Sequence, residues 1–368
     1  MITGARSPRR KTRGETNIVK SADLTPQKIL IVRLRRIGDV VMTTPAVTLL
    51  KKHFPEASLT YLIEEPYRKL VEGNPCLDRV IVIPPKQKFG EFVRTIREVR
   101  KEKYDVLLDF HGGPRASWIT LWSGAKLKIG YAIKPKGFLY DIQIPRRGER
   151  GPFHSVENHA NVVRALGVEF DDAAIPPPLL PAPKPGEVEH VQDILKEAGA
   201  AGVGGTKIVA LHIGAGNRFR DWGAANIARL IDLLARLPAV LIALLGAEGD
   251  KRIEAEILKS AKGAVLPLAG KLNLMEIKEL ISRAALFVGP DSGPMHIAAS
   301  TPTPIVAYFG PTLPANFAPW GRKEGRTVII EKNISCRPCE QRKCITNDVR
   351  CLLTIEPEEV FAACRPFL

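Results

Sequence analysis

Residues 28–54 read KILIVRLRRIGDVVMTTPAVTLLKKHF, and this stretch decides the fold. Lys28–Leu34 is a short apolar run of strand-forming residues. Arg35-Arg36-Ile37-Gly38-Asp39 makes a tight loop, and Val40–Phe54 carries helical spacing. Ser58–Ile63, Val80–Ile83 and Asp105–Phe110 repeat the apolar run, with a helical stretch at Glu91–Lys103 between the last two. Strands alternating with helices imply a parallel sheet covered on both faces. Ile175–Pro185 (IPPPLLPAPKP) has six prolines in eleven residues, which excludes a central strand or a helix interior. It reads as a stiff connection.

Beyond it the pattern restarts. Lys207–His212, Val240–Leu245, Ala284–Val288 and Pro304–Phe309 read as buried strands. Ala224–Leu237, Asp250–Ala261, Leu274–Arg283 and Pro294–Ser300 read as helices. The expected fold class is α/β, with two Rossmann-like domains facing across a cleft. The expected division is a basic flexible tail (1–27), a first domain (28–174), a Pro-rich linker (175–186), a second domain (187–352) and a C-terminal helix (353–368). In such sheets ligands lie beyond the carboxyl ends of the strands.

The 368 residues carry 54 Lys plus Arg against 39 Asp plus Glu, a net charge of +15. Residues 1–180 hold 31 basic and 19 acidic side chains, so +12 of the excess lies there. An anionic partner is implied. Nucleic acid is disfavoured, because there is no aromatic-rich basic stripe and no known binding motif. Arg9-Arg10 is followed by no apolar stretch, so export is not expected. No apolar run of about 18 residues predicts a membrane span. The expected location is cytoplasmic.

Three loops carry the chemistry. Val288-Gly289-Pro290-Asp291-Ser292-Gly293-Pro294-Met295-His296 joins a strand to a helix. The free N–H groups at such a helix start suit a diphosphate, and a turn in which Asp291 or Ser292 merely caps the helix is the plainer alternative. His212-Ile213-Gly214-Ala215-Gly216-Asn217-Arg218-Phe219-Arg220-Asp221-Trp222 places small residues and arginines after a strand. Arginine forks bind phosphate oxygens bidentately, while Trp222 reads as a packing residue. Asp39 is the third feature. At a helix start the dipole favours its ionised form, the form a general base needs, and an N-terminal capping role is the alternative. Arg33, Arg35 and Arg36 stand near it to hold an anionic acceptor, and His111 and Arg115 follow a strand that points at the same cleft.

In these residues the chain resembles the bacterial heptosyltransferases of glycosyltransferase family 9. The resemblance rests on Gly38-Asp39-Val40 with Thr43-Thr44-Pro45-Ala46, on His212–Trp222 and on Gly289–His296. It covers about residues 28–355. It implies a GT-B architecture, with the acceptor on the first domain and the nucleotide sugar on the second. Asp39 is then the catalytic base, and Arg220 stands where the family usually has a phosphate-binding lysine. Gly214, Ala215, Gly216, Asp291, Ser292, Gly293 and His296 form the donor loops. Glu248 stands for the residue that meets the donor ribose, and Leu272 for the adenine pocket. The implied reaction is single-step inversion without a metal, from an ADP-sugar (ADP-heptose) to lipid A–core at the inner face of the cytoplasmic membrane. A relative using another sugar, or a non-catalytic nucleotide-sugar binder, stays open.

Cys336, Cys339, Cys344 and Cys351 follow a C-x2-C-x4-C-x6-C spacing. In a reducing compartment such a set suits a structural zinc ion or an iron–sulfur cluster, with reduced or redox-sensitive thiols as the alternative. No cofactor is expected in catalysis.

Overall fold

A computed structural model describes residues 25–133, 136–145, 153–200, 205–214, 216–321, 325–339, 341 and 343–368. Most of the expected basic tail lies outside the described residues. The first half lays down β1 (Lys28–Val32), α1 (Ile37–His53), β2 (Ser58–Glu64), β3 (Arg79–Ile83), α2 (Phe89–Lys101), β4 (Val106–Asp109), α3 (Pro114–Trp122), β5 (Leu127–Tyr131), β6 (Ile142–Ile144) and α4 (Ser155–Arg164). The second half begins with α5 (Pro185–Glu197), β7 (Lys207–His212), α6 (Ala224–Leu234), β8 (Val240–Leu245), α7 (Lys251–Ser260), β9 (Val265–Pro267) and α8 (Leu274–Arg283). It continues with β10 (Leu286–Pro290), α9 (Gly293–Ala299), β11 (Ile305–Phe309), α10 (Pro314–Phe317), β12 (Thr327–Glu331), α11 (Arg350–Leu353) and α12 (Pro357–Cys364).

Two six-stranded sheets result, ordered β3-β2-β1-β4-β5-β6 and β12-β11-β10-β7-β8-β9. Every pairing is parallel; Ile31, for example, lies opposite Tyr61 on one side and Leu108 on the other. The strand order reverses at β1/β4 and at β7/β10, which is where such sheets open a crevice. Alternation along β1 sends Ile29 and Ile31 to one apolar cluster and Leu30 and Val32 to the other. The cluster holding Ile29 also holds Phe287 of β10, so one core runs through both halves.

The helix that joins the halves is α1, which is buried around most of its circumference. Pro45 lies inside it and has no N–H for the carbonyl of Val41. The Thr44 hydroxyl donates to that carbonyl instead, at 2.8 Å. Thr44 Oγ1 in turn accepts from the Leu179 amide at 3.0 Å, seating the Pro-rich segment on α1. Asn74 donates to the Leu179 carbonyl and Lys278 to that of Pro181, so the segment is tied to both halves.

Several boundaries differ from the sequence reading. Strand β10 extends to Pro290, so the loop between it and α9 shrinks to Asp291 and Ser292. Helix α6 ends at Leu234, three residues early, in a turn closed by Leu237 N to Leu234 O. Strands β6, β9 and β12 went unread at sheet edges, the first two only three residues long, and interior β5 (LKIGY) because polar and glycine residues interrupt its apolar run. Helices α3, α4, α5, α10 and α11 were also missed, and α5 begins at Pro185, inside the expected linker.

Candidate functional site

Two helix starts meet where the halves face each other. Helix α1 opens at Ile37 after Arg36, whose φ of 72° turns the chain without a side-chain cap. Helix α9 opens at Gly293. A Cβ on Gly38 would lie 2.7 Å from His296 Cδ2, and one on Gly293 would lie 2.6 Å from Ile37 Cβ. Glycine on each helix therefore permits an approach that no other residue allows.

Beside this contact lies a cavity of about 730 Å3, lined by residues of both halves. Asp39 lines it from the first. From the second come Gly214, Gly216, Arg220, Leu272, Asp291, Ser292, Gly293 and His296, all expected from the sequence. Asp39 also borders a second cavity of about 270 Å3, shared with Arg33, Asn158 and Asn316.

Asp39 sits in the first turn of α1 and pairs with Arg33 Nη2. Arg33 is only 3% exposed and donates through Nη1 to the Phe110 carbonyl. It thus orients the carboxylate, and it lines the smaller cavity beside it. The wall from the second half is equally tied. Arg220 Nη1 pairs with Asp291 Oδ2 at 3.1 Å and bonds the Asp291 carbonyl at 3.1 Å. Arg220 Nε donates to Gln341 Oε1 at 2.7 Å, and Thr312 Oγ1 donates to Asp291 Oδ2 at 2.6 Å. Ser292 bonds His212 Nδ1 at 3.2 Å, and neither Ser292 nor Asp291 caps α9. The helix start is not closed by a side chain of its own loop. Burial holds His212 at a pKa of about 3 and pushes that of His296 down against the pull of Asp291 and Asp39, so both rings are neutral near pH 7.

Gly214 has a specific reason to be glycine: a Cβ there would fall 2.0 Å from Asp250 Oδ2. The Asp250 carboxylate, which accepts from the Ala247 amide at 2.7 Å, lines the cavity together with Ala247 and Gly249. The sequence reading chose Glu248 at this strand end. Its side chain is 74% exposed and pairs with Lys251 at 2.7 Å, outside the cavity lining. Asp250 and Gln341 were missed. The first was legible as the acidic residue closing Gly246-Ala247-Glu248-Gly249-Asp250; the second had no local signal. Leu272, with Leu274 and Ile277, forms an apolar wall. Ala215 lies outside the described residues.

The expected acceptor residues divide. Arg36 lines the larger cavity, and Arg35 is exposed away from both. Arg115 is engaged by Glu64 and by the carbonyls of Pro84 and Pro85. His111 lines neither cavity; burial, reinforced by Arg33 and Arg35, lowers its pKa to about 4. Trp222 is a packing residue, 1% exposed, against Tyr308.

Cys336, Cys339, Cys344 and Cys351 line one small cavity of about 20 Å3. Among the described residues, no three His, Cys, Asp or Glu side chains are arranged to hold a metal ion. The thiols have the right chemistry for zinc, but their placement does not form a ligand set. The same segment carries Gln341, so it holds Arg220 directly.

His154 bridges the halves. Its Nδ1 accepts from the Val156 amide at the start of α4, and Nε2 donates to the Ala318 carbonyl at 2.9 Å. Burial lowers its pKa to about 4. Protonating Nδ1 would break the cap. A histidine whose folded pKa lies below its unfolded value of about 6.5 stabilises fully above that value and loses the contribution as pH falls toward 4. The melting temperature is therefore expected to be level from pH 7 to 8 and to fall between pH 6.5 and 4, with a shallower fall in His154→Asn. Equal slopes would remove His154 from the account.

A family profile described as glycosyltransferase family 9 (heptosyltransferase) matches residues 92–350. The chain is similar to lipopolysaccharide heptosyltransferase 3 of Escherichia coli, with 27% identity over 301 residues, covering 78% of this chain and 84% of the relative. The solved glycosyl transferase family 9 structure from Veillonella parvula aligns with a TM-score of 0.78 at 23% identity, covering 93% and 97% of the two chains. E. coli ADP-heptose LPS heptosyltransferase II aligns at 0.74 and 20% identity, covering 92% and 98%. The two-sheet architecture is GT-B.

Proposed function

The chain belongs to glycosyltransferase family 9 and is a glycosyltransferase, and from that premise we propose that it moves heptose from ADP-heptose to a sugar of the lipopolysaccharide inner core. The observation that carries this reading is the shared cavity: Asp39 on one wall, the Arg220–Asp291 loop on the other. In the proposed reaction Asp39 takes the proton of an acceptor hydroxyl as that oxygen attacks the anomeric carbon. The bond to the diphosphate breaks on the opposite face, which inverts the configuration. Negative charge grows on the leaving ADP. The Arg220 guanidinium, steered by Gln341 and Asp291, lies in the same cavity to balance it. Positive charge for the leaving group comes from the chain itself, so the reading assigns no step to a metal.

The apolar wall of Leu272, Leu274 and Ile277 suits a flat base, and the carboxylate of Asp250 suits ribose hydroxyls. We assign the ribose contact to Asp250 in place of Glu248. The first half is the acceptor domain in this reading and the second the donor domain, with the Pro-rich segment between. The acceptor is lipid-borne, so the enzyme works as a peripheral protein at the inner leaflet of the inner membrane. Among the described residues no helix is long and apolar enough to cross a membrane. Any metal at the cysteines is assigned a structural role.

Calorimetry tests the donor. ADP-heptose is expected to bind at least about tenfold tighter than UDP- or GDP-sugars, a difference of roughly 1.4 kcal/mol. Preference for a uridine or guanosine nucleotide would overturn the donor assignment.

A further inference from the structure

Five of the large apolar side chains that remain exposed gather around α3. Its buried side is anchored by Ala116, Ile119 and Thr120. Its other side carries Trp118, Leu121 and Trp122, exposed by 50%, 38% and 44%. Positions i, i+3 and i+4 place them in one stripe. The two indoles stack with centroids 4.9 Å apart, and Trp122 meets Phe92 of α2 at 6.5 Å. Phe89 at the first turn of α2 is 83% exposed. Phe138, on a 3-10 turn that packs against α3, is 80% exposed.

A basic row borders this stripe. Lys86, Lys88, Arg94, Arg97, Arg100 and Lys101 are all exposed along α2 and the loop before it. The nearby acids do not cancel them. Glu98 and Glu102 pair with Arg79 at 2.7 and 2.6 Å, and Glu91 accepts from the Lys88 amide. The Arg100 side chain runs beside Gly124, just past the end of α3, so the basic and aromatic surfaces adjoin. Arg115, in the first turn of α3, bonds the Pro84 and Pro85 carbonyls at 2.9 Å each. It pins the loop leading to Lys86–Phe89 against α3.

We propose that this face docks on an anionic lipid surface, with Trp118, Leu121 and Trp122 at headgroup depth and the α2 cations on the lipid phosphates. Indole rings prefer the membrane interface, and a basic row beside them selects anionic lipid. A second copy of the chain fits less well, because a symmetric contact would bring two rows of like charge together. The inference rests on the lipid-borne acceptor proposed above and names the surface that reaches it. The face is joined to the site by one short connection: α3 follows β4 through Phe110, whose carbonyl holds Arg33 and so Asp39.

The test is co-sedimentation of the full chain with vesicles of phosphatidylglycerol and phosphatidylcholine, against phosphatidylcholine alone. Binding to the anionic vesicles only is expected, with tryptophan emission moving to shorter wavelength and release at high salt. Each basic side chain near such a surface strengthens binding about fivefold, so Arg97→Glu with Arg100→Glu should weaken it by more than about 25-fold. Trp118→Ala with Trp122→Ala, or Leu121→Glu alone if that pair fails to fold, should also release the protein. All variants should turn over a water-soluble core oligosaccharide as the wild type does. Wild type that ignores anionic vesicles, variants that bind undiminished, or a stripe that instead mediates self-association by light scattering would overturn the proposal. Vesicle binding without any turnover of the soluble acceptor would instead contradict the proposed function and leave the docking surface standing.

Discussion

Asp39→Asn is expected to lower the turnover number by about 10²–10⁴-fold, the usual contribution of a positioned general base. ADP-heptose should bind as in the wild type, because the change removes a proton acceptor and leaves the donor loops alone. The asparagine matters for interpretation. Arg33 is buried, and Asp39 is its ion-pair partner. Asp39→Ala would leave that guanidinium with neither its counter-charge nor a hydrogen-bond acceptor, a loss of stability that would confound the rate. Asparagine also gives up the counter-charge, but it keeps a hydrogen-bond acceptor for Arg33, so it removes the base at a smaller structural cost. Rate and donor affinity measured together separate the explanations: a slow enzyme with intact donor binding supports the base, whereas near-normal turnover removes Asp39 from the chemistry.

The second large effect is at Arg220. Arg220→Ala should cost about 10²–10³-fold in turnover, the usual loss when one group that stabilises developing negative charge is removed. Arg220→Lys should recover much of this. It keeps the charge but cannot span Gln341 and Asp291 at once, so a residual loss of about tenfold is expected, from position rather than charge. If lysine does no better than alanine, the fork geometry carries the effect. If alanine is fully active, the diphosphate is held elsewhere. Steady-state rates of ADP release decide among these outcomes.

The sequence made the strands with a continuous apolar run legible, edge strand β3 among them, and left the others dark. β1, β7 and β8 declare themselves because a parallel strand buried on both faces is a continuous apolar run. β9 is three residues ending in proline, and β12 sits at a sheet edge, so neither needs such a run. Site residues on strand-end loops, such as Asp291 and Arg220, could be located because glycine, charge and position coincide there. Gln341 could not be, since it reaches Arg220 across 121 positions of sequence. Arg33 was legible as a cation near Asp39; its burial and its pairing with the Asp39 carboxylate appear only in the packed structure. Glu248 and Asp250 differ by two positions on one turn, and only the close approach of the Asp250 carboxylate to Gly214 shows which one faces inward.

The central claim is that the cavity shared by Asp39 and Arg220 transfers heptose from ADP-heptose. It is tested most directly by incubating the chain with ADP-heptose and defined lipid A–core acceptors and weighing the products. One heptose added per acceptor, one ADP released per transfer and an inverted anomeric centre are expected. Absence of transfer to every core acceptor, or transfer from a UDP- or GDP-sugar in its place, would contradict the account.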